Sequence, residues 1–261
     1  MDSSYIIAGV LVGILVGLTG VGGGSLMTPL LVFLFGFNPT VAVGTDLLFA
    51  AITKSVGVLT HHRSHGSVNW KIAERLSIGS IPAALLTLYF LRSYAQLGRD
   101  ISRPITLTLG IALILTAFAL CIKHQVRSFS QRLPRSAIRF IGEHRRTATI
   151  VIGAVLGVLV TLSSVGAGAL GTVSLLILYP TLPAVRVVGT DLAYAIPLTA
   201  VAGTGHWALG NVNWHLLATL LVGSVPGIWF GSRLSAKIPE RVLRPILVAM
   251  LLIVALKCLW R

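Results

Sequence analysis

Two aspartates stand where a carboxylate is least comfortable. Asp46 and Asp191 each follow Gly-Thr in a pentapeptide that occurs twice, VGTDL, at Val43–Leu47 and Val188–Leu192. Of the chain's 7 acidic residues, only these two lie well inside long apolar stretches. An ionisable side chain in such surroundings is costly, and its first reading is functional. Three roles fit: carrying a proton for coupling, accepting a hydrogen bond from a protonated substrate, or holding a broken helix through its free backbone amides. Thr45 and Thr190, one residue earlier, offer hydroxyl donors suited to the oxygens of an oxyanion.

A second pair of motifs supplies another kind of donor. Gly20-Val21-Gly22-Gly23-Gly24-Ser25 and Ser164-Val165-Gly166-Ala167-Gly168-Ala169 interrupt apolar sequence at matching places. Glycines this dense allow left-handed turns. A short helix beginning at Ser25 or Ala169 would present free N–H groups and the positive end of its dipole to an anion. Close helix packing is the plainer explanation of such glycines, but the run exceeds what packing needs. Gly22, Gly23, Gly24, Ser25, Thr45, Gly166, Gly168 and Thr190 are therefore the substrate-binding candidates, with Asp46 and Asp191 as proton-coupling candidates. An ionised Asp beside an anion would repel it, so these carboxyls are expected to be protonated or turned onto amides.

Lys54 lies well inside an apolar segment, eight residues after Asp46 and about 12 Å along a helix. It could attract an anion, but snorkelling to a nearby interface is the favoured expectation. His61, His62 and His65 lack the carboxylate or thiolate help that a metal site usually has, and read as a solvated basic loop. Cys121 and Cys258 each end an apolar segment and form no disulfide framework.

These residues must be positioned by membrane helices. The chain has 261 residues, 55% hydrophobic and 11% charged, with a mean hydropathy of +0.89. A soluble domain carries about 25% charged residues to face water. The net charge of +14 does not mark a nucleic-acid binder, because the basic residues gather in connections, above all between Lys123 and Arg146. That is how cytoplasmic loops of membrane proteins are charged. The first apolar stretch, Tyr5–Leu18, lacks a signal peptide's basic start and cleavage site and is read as retained.

Apolar runs fall at Ser4–Gly20, Ser25–Phe37, Val41–Thr60, Ile72–Leu91 and Ile101–Ile122, and again at Thr147–Ser163, Gly168–Pro180, Val185–His206, Trp214–Phe230 and Val242–Leu259. The second of each set is short for a span of about 20 residues. The sets are copies. GILVGLTGVGGGSL (Gly13–Leu26) and GVLVTLSSVGAGAL (Gly157–Leu170) agree at 8 of 14 positions. VGTDL, G-x-V-N-W (Gly66–Trp70, Gly210–Trp214) and G-S-[IV]-P (Gly79–Pro82, Gly223–Pro226) then recur in the same order. Asn69 and Asn213 read as helix caps, with Trp70 and Trp214 as interfacial anchors.

The expected fold is an all-α polytopic membrane bundle. It comprises a first repeat over 1–122, a basic cytoplasmic linker over 123–146 and a second repeat over 147–261. Five crossings per copy would place the second upside down. Arg63, Lys71 and Arg75 inside, against a His206–Trp214 connection without Lys or Arg, favour that inverted arrangement with both termini outside. Arg92, Arg99 and Arg103 run against it.

The ordered set of motifs, GVGGGS, VGTDL, G-x-V-N-W and their repetition across a basic stretch, resembles the sulfite exporter TauE/SafE family of membrane permeases along essentially the whole chain. The resemblance implies a carrier of sulfite, sulfonates or other small organosulfur anions. Ala167, where the first copy has Gly23, departs from the glycine pattern. The expectation is therefore a secondary transporter of a small oxyanion in a bacterial inner membrane, with protons as a candidate coupling ion and no bound cofactor. Its alternative is a cation–proton antiporter in which Asp46 and Asp191 bind the cation. An intramembrane protease is disfavoured, because no Ser–His or Asp–Asp motif appears.

Overall fold

The computed structural model describes residues 6–7, 9–14, 24–33, 35–65, 68–98, 100–130, 135–235 and 240–260. Every regular element among them is a helix. Apolar runs of this length leave each amide no acceptor in lipid except the previous turn of its own helix. In chain order the helices are α1 (9–14), α2 (Gly24–Phe33), α3 (Pro39–His65), α4 (Trp70–Gln96), α5 (Ser102–Ser130), α6 (Arg135–Ser163), α7 (Ala169–Leu178), α8 (Ala184–Ala208), α9 (Trp214–Ser235) and α10 (Glu240–Leu259).

Five stretches are long and apolar enough to cross a bilayer by length and composition: Trp70–Gln96, Ser102–Phe129, His144–Ser163, Ala184–Ala208 and Trp214–Gly231. They show large apolar side chains on their outer faces, among them Tyr89, Phe90, Phe118, Trp229 and Phe230. Polar groups such as Asp46, Lys54, Thr190 and Asp191 are buried between helices instead. That distribution makes the chain a polytopic membrane bundle.

α2 and α7 have 10 residues each, about 15 Å of helix against a hydrocarbon layer of about 30 Å. Neither crosses on its own, so a count of five crossings per half does not follow from them. The basic stretch 123–146 is largely helical, since α5 continues to Ser130 and α6 begins at Arg135. His61, His62 and His65, expected in a loop, belong to the last turns of α3.

The asparagine caps form as expected. The Asn69 side chain accepts the Ile72 amide at 3.4 Å, and that of Asn213 accepts the Leu216 amide at 3.0 Å. Trp70 and Trp214 follow them and are exposed. At the start of α5 the exposed Asp100 carboxyl accepts the Ser102 amide at 2.8 Å. That bond holds its pKa below the ordinary carboxylate range.

The two halves grip each other by one contact made twice with the partners exchanged. α1 of the first half packs on α9 of the second, and α6 of the second packs on α4 of the first. A Cβ on Gly13 would stand 2.8 Å from the Ser224 Cα, and one on Gly157 would stand 2.8 Å from the Ser80 Cα. Likewise Gly9 and Gly153 abut Leu220 and Leu76, while Gly223 and Gly79 abut the carbonyls of Ile6 and Ile150. Small residues let these backbones approach closely, which is how helices associate where lipid removes a hydrophobic drive.

Gly157→Leu should therefore destabilise the protein by about 2 kcal/mol or more, seen as a lower thermal midpoint in detergent. Val158→Leu, on the exposed neighbouring position, should leave that midpoint unchanged.

Candidate functional site

The VGTDL repeats lie on α3 and α8, and each carboxylate is turned onto the short helix of its own half. Asp46, fully buried, receives on Oδ2 both the Thr28 amide at 3.2 Å and the Thr28 hydroxyl at 2.5 Å. Asp191 receives on Oδ2 the Thr172 hydroxyl at 3.3 Å. Thr28 and Thr172 occupy the same place in α2 and α7, so each carboxylate anchors the short element that cannot span alone. Sequence reasoning passed over these threonines. The signal was present, because Leu26-Met27-Thr28 and Leu170-Gly171-Thr172 align directly behind the glycine motifs.

The second oxygen of each carboxyl is different. Asp46 Oδ1 and Asp191 Oδ1 are buried without a hydrogen-bond partner, as are Ser164 Oγ and Tyr194 OH. Ser164 faces the Asp46 carboxyl. Gly171 makes room at the other carboxyl. A methyl there would collide with Asp191 Oδ1 and stand 3.0 Å from Tyr194 OH. Buried polar atoms normally find partners; these four, among nine such side-chain atoms in the described residues, make this region the candidate site.

That region is bordered by the glycine motif of the second half. After Ser163 the chain leaves the helix through Ser164 at φ 57°, Gly166 at φ 121° and Gly168 at φ 137°. The two glycines adopt backbone angles that a side chain would strain. α7 then begins at Ala169 with no side-chain cap on Gly168; the Gly171 and Thr172 amides close back on the Gly166 and Gly168 carbonyls, and the positive end of the helix dipole lies at this turn. Gly166 and Gly168 thus stand beside the buried polar atoms. Gly24 opens α2, and Ser25 follows it, with its side chain outside the described residues. Gly22 and Gly23 also lie outside them.

Lys54 corrects an expectation. It does not snorkel. It is 4% exposed, and its Nζ donates to the Ala167 carbonyl at 3.3 Å. The physical reason is the loop: backbone turned by Gly166 and Gly168 frees a carbonyl that no helix satisfies, and the ammonium takes it. Asp46 and Asp191 are both within electrostatic reach. Thr199, at the matching place in α8, bonds back to the Ala195 carbonyl at 2.8 Å. The charge is therefore on one side of the repeat only.

Thr45 and Thr190 are engaged between the halves. The Asn213 amide donates to Thr45 Oγ1 at 3.1 Å and the Asn69 amide to Thr190 Oγ1 at 2.9 Å. Each threonine therefore ties its own long helix to the start of α9 or α4 across the repeat boundary. Among the described residues no group of His, Cys, Asp and Glu is arranged to hold a metal ion.

Thr45→Val and Thr190→Val should each cost about 1 kcal/mol by leaving a partly buried amide without its acceptor. Hydrogen exchange should quicken at Asn213 in the first variant and at Asn69 in the second.

Comparison with known proteins agrees along the whole chain. A family model described as Sulfite exporter TauE/SafE matches residues 5–258. The probable membrane transporter protein YjnA of Bacillus subtilis (strain 168) is 40% identical over 259 residues, covering 98% of this chain and 99% of its own. YunE of the same organism, also named a probable membrane transporter protein, is 27% identical with 95% and 92% covered. A probable membrane transporter protein of Methanocaldococcus jannaschii is 26% identical, with 91% and 86% covered. No solved structure matches.

Proposed function

The chain belongs to the sulfite exporter TauE/SafE family and is a multi-pass membrane transporter rather than an enzyme, and we propose that it carries a small oxyanion such as sulfite or an organosulfonate across a bacterial inner membrane by secondary transport. The observation that carries this reading is the buried Lys54 ammonium on the Ala167 carbonyl, inside the glycine loop that opens α7. The Lys54 ammonium, the N-terminus of α7 and the Tyr194 hydroxyl, which has no hydrogen-bond partner, offer donors to an anion, with Ser164 beside them facing the Asp46 carboxyl. Donors aimed at one place in a dry interior select anions.

Asp46 and Asp191 fit proton coupling. Each already spends one oxygen on a threonine donor and keeps the other unpartnered. A proton on that oxygen converts an acceptor that repels an anion into a donor that binds it. The cation–proton antiporter is the weaker reading, because a buried ammonium between the two carboxylates competes with any cation they would hold. The exchanged contacts between halves support a two-fold relation of the repeats. We take that relation as inverted, since charge placement in the connections favours it and broken helices at the midplane are where such carriers bind.

Proteoliposomes holding the purified chain should accumulate sulfite or a small sulfonate saturably, faster under an imposed pH gradient. Lys54→Met should lower uptake about tenfold or more, the scale of one charge-assisted hydrogen bond. Asp46→Asn should retain substrate binding yet lose the response to the gradient. Sodium or potassium flux in place of anion flux would hand the function to the antiporter.

A further inference from the structure

The charges that the site encloses limit what it can carry. Asp46 on α3, Asp191 on α8 and Lys54 on α3 are all nine-tenths or more buried. The groups facing them from α2, from α7 and from the loop before it are neutral: Thr28, Thr172 and Ser164. Tyr194 on α8 adds a phenol. His206, farther along α8, is bonded to the Thr161 carbonyl of α6 at 2.9 Å. Lys123 of α5 reaches Asp191 electrostatically but is only half-buried, so solvent screens it.

Net charge in a low-dielectric interior is expensive, and protonation adjusts to remove it. With both carboxyls ionised the three groups sum to one negative charge. With both protonated they sum to one positive charge. The empty site is thus neutral when it holds a single proton. A monovalent anion restores neutrality by bringing one further proton to the remaining carboxylate. A divalent anion leaves a negative charge that no remaining acid can cancel.

Resting on the anion reading above, we propose that this site accepts monovalent anions only (sulfite as hydrogensulfite), and takes up one proton from water with each, so that transport is electroneutral. Proton and anion enter together and leave together, and Lys54 keeps its charge throughout.

The test uses the full chain in proteoliposomes, with methanesulfonate as a monovalent probe and sulfate as a divalent one. A proton gradient is imposed in one series and a potassium–valinomycin membrane potential in another. The expected result is methanesulfonate uptake that rises with an inward proton gradient, with one proton entering per anion and no change under potentials of either sign. Sulfate uptake should stay at background. Uptake that follows the membrane potential, or sulfate carried as fast as methanesulfonate, overturns the inference while leaving anion transport in place. Absence of flux for both probes from folded protein overturns the anion reading itself, and the charge limit with it.

Discussion

A helix broken inside hydrocarbon exposes carbonyls that lipid cannot satisfy, and a lysine buried there needs an acceptor. The bond from Lys54 to the Ala167 carbonyl answers both needs, and much else follows from it. It fixes the loop between α6 and α7, which the positive φ angles of Gly166 and Gly168 make possible. It joins α3 of the first half to the interrupted element of the second. It also sets a positive charge between two carboxylates that would otherwise make the interior negative. Removing the ammonium would leave the carbonyl and both acids without a counterweight.

Around that centre the molecule is built by repetition. Asp46 with Thr28 and Asp191 with Thr172 hold the short helices. Thr45 and Thr190 receive amides from the opposite half. The glycines of α1, α4, α6 and α9 let the halves touch backbone to backbone. These contacts are nearly identical on both sides, whereas Lys54 faces Thr199 at the matching position. A symmetric frame therefore carries an asymmetric charge.

Much of this architecture could be read from residue order. The duplicated VGTDL and glycine motifs located the helices that meet around Asp46, Lys54 and Asp191. Apolar residues on every side located the membrane. The asparagines before Trp70 and Trp214 located two helix starts. What could not be read was which polar atoms face each other, because that depends on contacts far apart in the chain. Lys54 illustrates the limit: its length permits snorkelling, and only the carbonyl freed at Ala167 decides against it. Thr45 and Thr190 illustrate it again, since nothing in the order of residues shows that their oxygens accept the amides of Asn213 and Asn69. The number of crossings depends on a simpler point. Short segments such as Ala169–Leu178 are apolar enough for lipid but too short to cross it.

The central claim is that an anion is held where Lys54 meets the glycine loop of the second half. An experimentally determined structure of the protein with a bound sulfonate tests it most directly. The account predicts density for the anion beside Lys54 Nζ, within hydrogen-bond reach of Ser164 Oγ or Tyr194 OH and of the first amides of α7. An anion bound elsewhere, or a metal cation seated on Asp46 and Asp191 with Lys54 displaced, would contradict it.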